Sequence, residues 1–119
     1  MKDFDVIVYT AKDGTVPVNE FLYTVSEKMR AKILKELELL ADYGNELREP
    51  YTKHIEDGIF ELRIKLGTDI SRVMYFFYVE KRIILTNGFV KKTQKTPRNE
   101  IETAKKYRQD YLSREERKG

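Results

Sequence analysis

Between positions 89 and 97 the chain reads Phe89-Val90-Lys91-Lys92-Thr93-Gln94-Lys95-Thr96-Pro97. Three lysines stand just before Thr96-Pro97, a pair suited to capping and opening a helix. Ammonium groups and the free N–H groups of a helix start would then converge on one region, which is chemistry that binds phosphate. A solvated basic loop has the same composition, so spacing alone leaves both readings open. Upstream, residues 59–66 alternate strictly, with Phe60, Leu62, Ile64 and Leu66 on one side and Glu61, Arg63 and Lys65 on the other. Arg72 follows inside the next apolar run, Ser71 to Val79. These cations, with Glu61 among them, are the residues with chemistry to offer.

Other chemistries are poorly supplied. The chain has no cysteine, which excludes disulfides and thiolate zinc sites and favours a reducing compartment. No cluster of Asp, Glu or His has metal-ligand spacing, and no Gly-rich phosphate loop or Ser/His/Asp pattern is present. No metal and no cofactor are therefore expected. His54 is the one histidine, so a two-histidine ribonuclease pair is excluded. It falls in residues 45–57, polar and containing Pro50, which read as a loop.

The elements that must carry the cations follow from the apolar pattern. Phe4 to Tyr9 reads as a first strand. Pro17 opens a helix with Val18, Phe21, Leu22 and Val25 at helical spacing, and Ser26 caps a second with Met29, Ile33, Leu37 and Leu40 on one face and Gly44 past its end. Three strands then form a meander over 59–66, 71–79 and 82–89, with turns at Gly67-Thr68-Asp69 and Glu80-Lys81. A last helix has Ile101, Ala104, Tyr107 and Tyr111 along its inner side. The expectation is one α+β domain over residues 1–119, a mainly antiparallel sheet with two helices after the first strand and one at the end. Aligning apolar faces pairs Ile64 with Val73 and Leu62 with Tyr75, which sets Lys65 opposite Arg72 and Arg63 one pair away. Carried onward, the register brings Phe89 beside Arg72, and Lys91 comes next on that side. Like charges directly opposed on a sheet repel, so Arg63, Lys65, Arg72 and Lys91 on one face must bind an anion or be shielded by carboxylates such as Glu61.

The net charge of +3 conceals an asymmetry. Residues 1–80 carry 11 Lys/Arg against 15 Asp/Glu, whereas residues 81–119 carry 12 against 5. A split of this kind suggests a polyanion footprint, although a charged, solvated terminal helix would give it too. The N-terminal MKDFDVIVY has no signal-like apolar core, and no run approaches the roughly 20 apolar residues that span a bilayer. A cytoplasmic location and no membrane partner are expected.

Three blocks, Asp57-Gly58-Ile59-Phe60-Glu61-Leu62-Arg63, Ser71-Arg72-Val73-Met74-Tyr75-Phe76-Phe77 and Gly88 to Pro97, resemble the RelE/HigB toxin superfamily in its phage-related HigB-like branch, in that order and ahead of a helix with Ala104 near its middle. The resemblance covers about residues 15–111, and the third block is the most specific. It implies a RelE-like fold and a metal-independent endoribonuclease that cuts messenger RNA in the ribosomal A site. It also implies neutralisation by a cognate antitoxin, expected to be a helix-turn-helix protein encoded next door. By position, Arg72 matches the arginine that holds the scissile phosphate, Arg63 and Lys65 the basic residues of the preceding strand, and Lys91, Lys92 and Lys95 the basic segment after the last strand. Those three lysines, Arg98 and Phe89 are the expected RNA contacts, and Arg72 is expected to face a solvent-filled groove. Some relatives carry a tyrosine early in the last helix, but Asn99-Glu100-Ile101 has none, so the base is open, with Glu61 as an outside candidate. A gyrase-binding ParE-like toxin and a non-catalytic nucleic-acid or antitoxin-binding module are the alternatives.

Overall fold

The computed structural model describes residues 3–118; Met1, Lys2 and Gly119, at the ends of the expected domain, lie outside the described residues. The chain runs β1 (Asp5–Val8), α1 (Pro17–Thr24), α2 (Glu27–Tyr43), a short 3₁₀ turn (Gly44–Glu46), β2 (Thr52–Glu56), β3 (Ile59–Leu66), β4 (Asp69–Tyr78), β5 (Arg82–Val90) and α3 (Arg98–Lys118). One five-stranded sheet has the order β1-β5-β4-β3-β2, parallel only between β1 and β5. The expected α+β architecture holds. Pro17 stands at the start of α1, and the Ser26 hydroxyl accepts from the Met29 N–H at 3.1 Å as the cap of α2.

Strand alternation gives the sheet two apolar faces, and helices cover both. Val18, Phe21, Met29, Ile33 and Leu40 of α1 and α2 pack on Leu62, Ile64, Val73, Tyr75 and Leu85. On the other face Ile101 and Ala104 of α3 pack on Ile59, Met74, Phe76 and Ile84. Tyr107, on the inner side as expected, stacks on Tyr9 with ring centroids 4.6 Å apart. α3 covers only part of its face, so the charged side chains of β3 and β4 lie beside its N-terminal end rather than beneath it.

Three details depart from the expected pattern. Residues 45–57 are not all loop: Thr52–Glu56 is the edge strand β2, joined to β3 by Asp57-Gly58, both at positive φ (53° and 77°). The β3–β4 register is offset by two residues from expectation, because the turn is the two-residue Gly67-Thr68 and Asp69 already pairs with Leu66. A shift of two leaves every side chain on its expected face, but it sets Arg63, not Lys65, opposite Arg72 and places Lys65 opposite Ile70. Across β4–β5 a bulge sets Thr86 and Asn87 against Met74, with the Thr86 hydroxyl donating to the Met74 carbonyl at 3.2 Å. The extra residue exchanges the faces of the rest of β5, turning Phe89 and then Lys91 toward the Arg72 side. Gly88 is turned to the opposite face, where a Cβ would sit 2.3 Å from the Phe21 ring, so only glycine lets α1 lie on the sheet there.

Candidate nucleic-acid interface

At the heart of the charged face is Glu61, 1% exposed. Its carboxylate stands 3.3 Å from Arg63 Nε and 3.6 Å from Arg72 Nε, and it accepts the Thr96 hydroxyl at 2.8 Å. Pairing with β4 makes the two arginines direct neighbours, and Glu61 offsets their repulsion. Thr96 is thereby a strap that draws the 91–97 segment onto the sheet through Glu61, in place of the expected capping role. Lys91 stays on the Arg72 side because its N–H donates to the Ile70 carbonyl at 2.8 Å, extending the β5 register by one residue. Burial, then the adjacent Arg72 guanidinium, hold the Lys91 amine below the ordinary lysine range, against an opposing pull from Glu61. Burial likewise lowers Arg72, again opposed by Glu61.

A groove of about 690 Å³ opens here, with Lys53, Glu61, Arg63, Lys91, Lys95 and Arg98 among its walls. The structure therefore brings together Arg63, Lys91 and Lys95, with Arg72 directly behind them. Arg72 does not face open solvent as expected. It is 7% exposed, with Nη1 donating to the Ser71 carbonyl at 3.1 Å. Lys65 and Lys92 are exposed and outside the groove. Phe89 is buried against the α3 core, which removes it as a stacking surface for a base. Arg98 reaches the rim but is not free: it grips Glu56 with two nitrogens at 2.8 and 2.6 Å and also meets Glu102.

That Arg98 contact belongs to a wider neutralisation. Lys105 pairs with Glu56 and Arg108 with Asp57, tying α3 to the β2–β3 turn, while Arg114 pairs with Asp110 and Arg82 with Glu115. Hydrogen bonds from Arg98 and Lys105 hold the Glu56 carboxyl at about 2. Much of the positive C-terminal third is thus consumed inside the fold. Among the described residues, Lys91, Lys92 and Lys95 have no carboxylate within ion-pair distance, and of these Lys91 and Lys95 line the groove. Sequence reasoning missed Lys53, which pairs with Glu61 across β2 and β3 and adds a cation to this face. Asp57-Gly58 was the available signal, because a left-handed two-residue turn ahead of a strand implies a strand on its other side. No group of three or more His, Cys, Asp or Glu side chains that could hold a metal ion occurs among the described residues. No helix among them is long and apolar enough to cross a membrane.

A mixed sheet with helices on both faces and a cationic groove beside the last helix define a small α+β module with one concentrated basic face. Residues 20–109 match the family described as phage derived protein Gp49-like (DUF891), and the chain belongs to that family. The match agrees with the phage-related side of the motif resemblance and spans all three blocks that carried it. No curated protein matches the sequence significantly.

Proposed function

We propose that this chain is the toxin of a toxin–antitoxin pair, a metal-independent endoribonuclease that cuts messenger RNA on the ribosome. The observation that carries the reading is the convergence of Lys91 with Arg63, Lys53 and Lys95 on one open groove, with the buried Arg72 beside Lys91 and Lys91 held below its ordinary range. RNA cleavage through the 2′-hydroxyl needs a base, cations for the charge that develops on phosphorus, and a proton for the departing 5′-oxygen. In its neutral form the Lys91 amine takes the 2′-hydroxyl proton. The 2′-oxygen–phosphorus bond forms as the bond to the 5′-oxygen breaks, leaving a 2′,3′-cyclic phosphate and a 5′-hydroxyl. Arg63 and Lys53 meet the phosphorane oxygens, the buried Arg72 behind them adds its positive charge to the field, and a protonated lysine of the 91–95 segment supplies the leaving-group proton. No histidine pair assists, so the reaction depends on the ribosome holding the messenger in an attacking geometry, a contribution worth several kcal/mol. The neutralising partner is a cognate antitoxin.

The test is the chemistry of the cut ends and their dependence on Lys91. Cleaved messenger should carry cyclic phosphate and 5′-hydroxyl ends in the presence of a chelator, and Lys91→Ala should remove cleavage while ribosome binding persists. Burial of Arg72 against Glu61 favours a second reading, in which the arginines are a structural ion pair and the basic face only docks nucleic acid or an antitoxin. Undiminished ribosome binding with no cut ends would establish that reading, and inhibition of DNA gyrase instead would point to a ParE-like role.

A further inference from the structure

The cationic groove lacks something a single-stranded RNA site ordinarily uses. Its lining has no aromatic ring except that of His54, so it grips phosphates and offers no stacking platform. The rings are on the other side of β2. There a separate cavity of about 380 Å³, roofed by the 44–49 segment, is floored by Phe60, Tyr75 and Phe77. Phe60 and Tyr75 stack at 5.5 Å and 18°, and Phe77 stands edge-on to Phe60 at 5.3 Å. The Thr52 and Tyr75 hydroxyls bond to each other on the cavity wall. His54 meets Phe60 edge-on at 4.9 Å, and its Nε2 accepts the Gly58 N–H.

Lys53 and His54 line both cavities. The edge position of β2 explains this, because the cavities of the two sheet faces both open beside it, while consecutive side chains along it point to opposite faces. Lys53 sits beside Glu61 on the cationic face, and His54 sits beside Phe60 on the aromatic one. An RNA strand whose phosphates lie along Lys53 and Lys91 therefore passes over a single exposed edge strand before reaching the ring-lined cavity.

We infer that the aromatic cavity behind β2 takes one nucleobase of the substrate, flanking the cleaved phosphate, and so sets a sequence preference at that position. This rests on the ribonuclease reading. The size falls within the roughly 300–1,000 Å³ range of small-ligand pockets. Exposed Arg48 and Lys53 at its mouth suit an anionic strand, and the ring floor suits a flat heteroaromatic base.

The experiment uses ribosomes programmed with messengers in which each nucleotide around the A-site codon is made abasic in turn. Cleavage is followed in single turnover for the wild type, for Asn45→Trp, which fills the cavity from its exposed wall, and for His54→Ala, which opens its rim. Thermal melts confirm that both variants fold. At one position the abasic messenger should slow the wild type about tenfold. At that position Asn45→Trp should be insensitive and should cut intact messenger at the slowed rate, and His54→Ala should show a smaller version of the same loss. Equal sensitivity of all three proteins at every position overturns the assignment while leaving the ribonuclease reading standing. Absence of any cleavage by the wild type removes both. If Asn45→Trp cuts every messenger at the wild-type rate but escapes its antitoxin, the cavity receives a protein side chain and the base assignment is wrong.

Discussion

Replacing Glu61 by Gln perturbs one atom and should unbalance the whole charged face. The glutamine keeps an oxygen for the Thr96 hydroxyl, but the two guanidiniums at 3.3 and 3.6 Å lose their counter-charge. Removing one partner of a buried ion pair costs about 3–5 kcal/mol. Arg63 keeps Glu49 at 3.5 Å and about a quarter of its side chain in water, which places the loss near the low end, about 3 kcal/mol. For a chain of this length that corresponds to a drop of roughly 10–15 °C in Tm. Urea unfolding followed by circular dichroism measures it, and the midpoint should fall at constant m-value. Arg72→Met should cost less, because Glu61 retains Arg63 and Thr96. In the double variant Glu61→Gln/Arg72→Met about 1–3 kcal/mol should return, since the repulsion is relieved. A Glu61→Gln protein as stable as the wild type, or losses that simply add in the double variant, would refute the claim that Glu61 balances the two arginines.

The same geometry fixes four other outcomes. Cleavage should rise with pH, because the base must be neutral, with a midpoint below the ordinary lysine range, and Arg72→Met should move that midpoint upward; an unchanged profile removes Lys91 as the base. The Glu56 carboxyl, depressed from 4.5 to about 2 in the fold, stabilises the native state above its unfolded value, and that contribution disappears as pH falls from about 4.5 to about 2. Glu56→Gln should therefore flatten the acid limb of a stability–pH curve, and a steep limb that survives the substitution would place the titrating groups elsewhere. Gly88→Ala should lower stability by about 1–3 kcal/mol in urea titrations through overpacking on Phe21. Ribosome affinity should fall steeply between low and moderate salt as counterions are released, and a flat response would argue against phosphate contacts.

The sheet was legible wherever one face had to be apolar. Phe60, Leu62, Ile64 and Leu66 fixed the facing of β3, and that facing survived even though the paired register was two residues out, because a shift of two preserves side-chain direction. The Phe89–Arg72 pairing was also reached, although a two-residue turn was expected where Val79–Lys81 connects the strands and a bulge at Thr86-Asn87 restores the register. A bulge leaves no mark in the apolar pattern when small polar residues occupy it. β2 was missed because an edge strand has one partner and little burial, so Lys53, His54 and Glu56 needed no apolar alternation. The charge asymmetry was visible in the sequence, but its cancellation was not: Arg98 and Arg108 are neutralised by Glu56 and Asp57, more than 40 positions upstream. For the same reason burial of Arg72 could not be read. It depends on Glu61 and on the 91–97 segment folding back over the sheet.

On the proposed mechanism, this groove cuts messenger RNA only where the ribosome presents it. The direct measurement compares cleavage of one end-labelled messenger, naked and bound in the A site of programmed ribosomes, by the wild-type chain and by Lys91→Ala at matched folded concentration. Rapid cutting of the ribosome-bound messenger, with little cutting of naked RNA and none by Lys91→Ala, is the predicted result. Equal rates on both substrates, or cutting by Lys91→Ala at the wild-type rate, would contradict it.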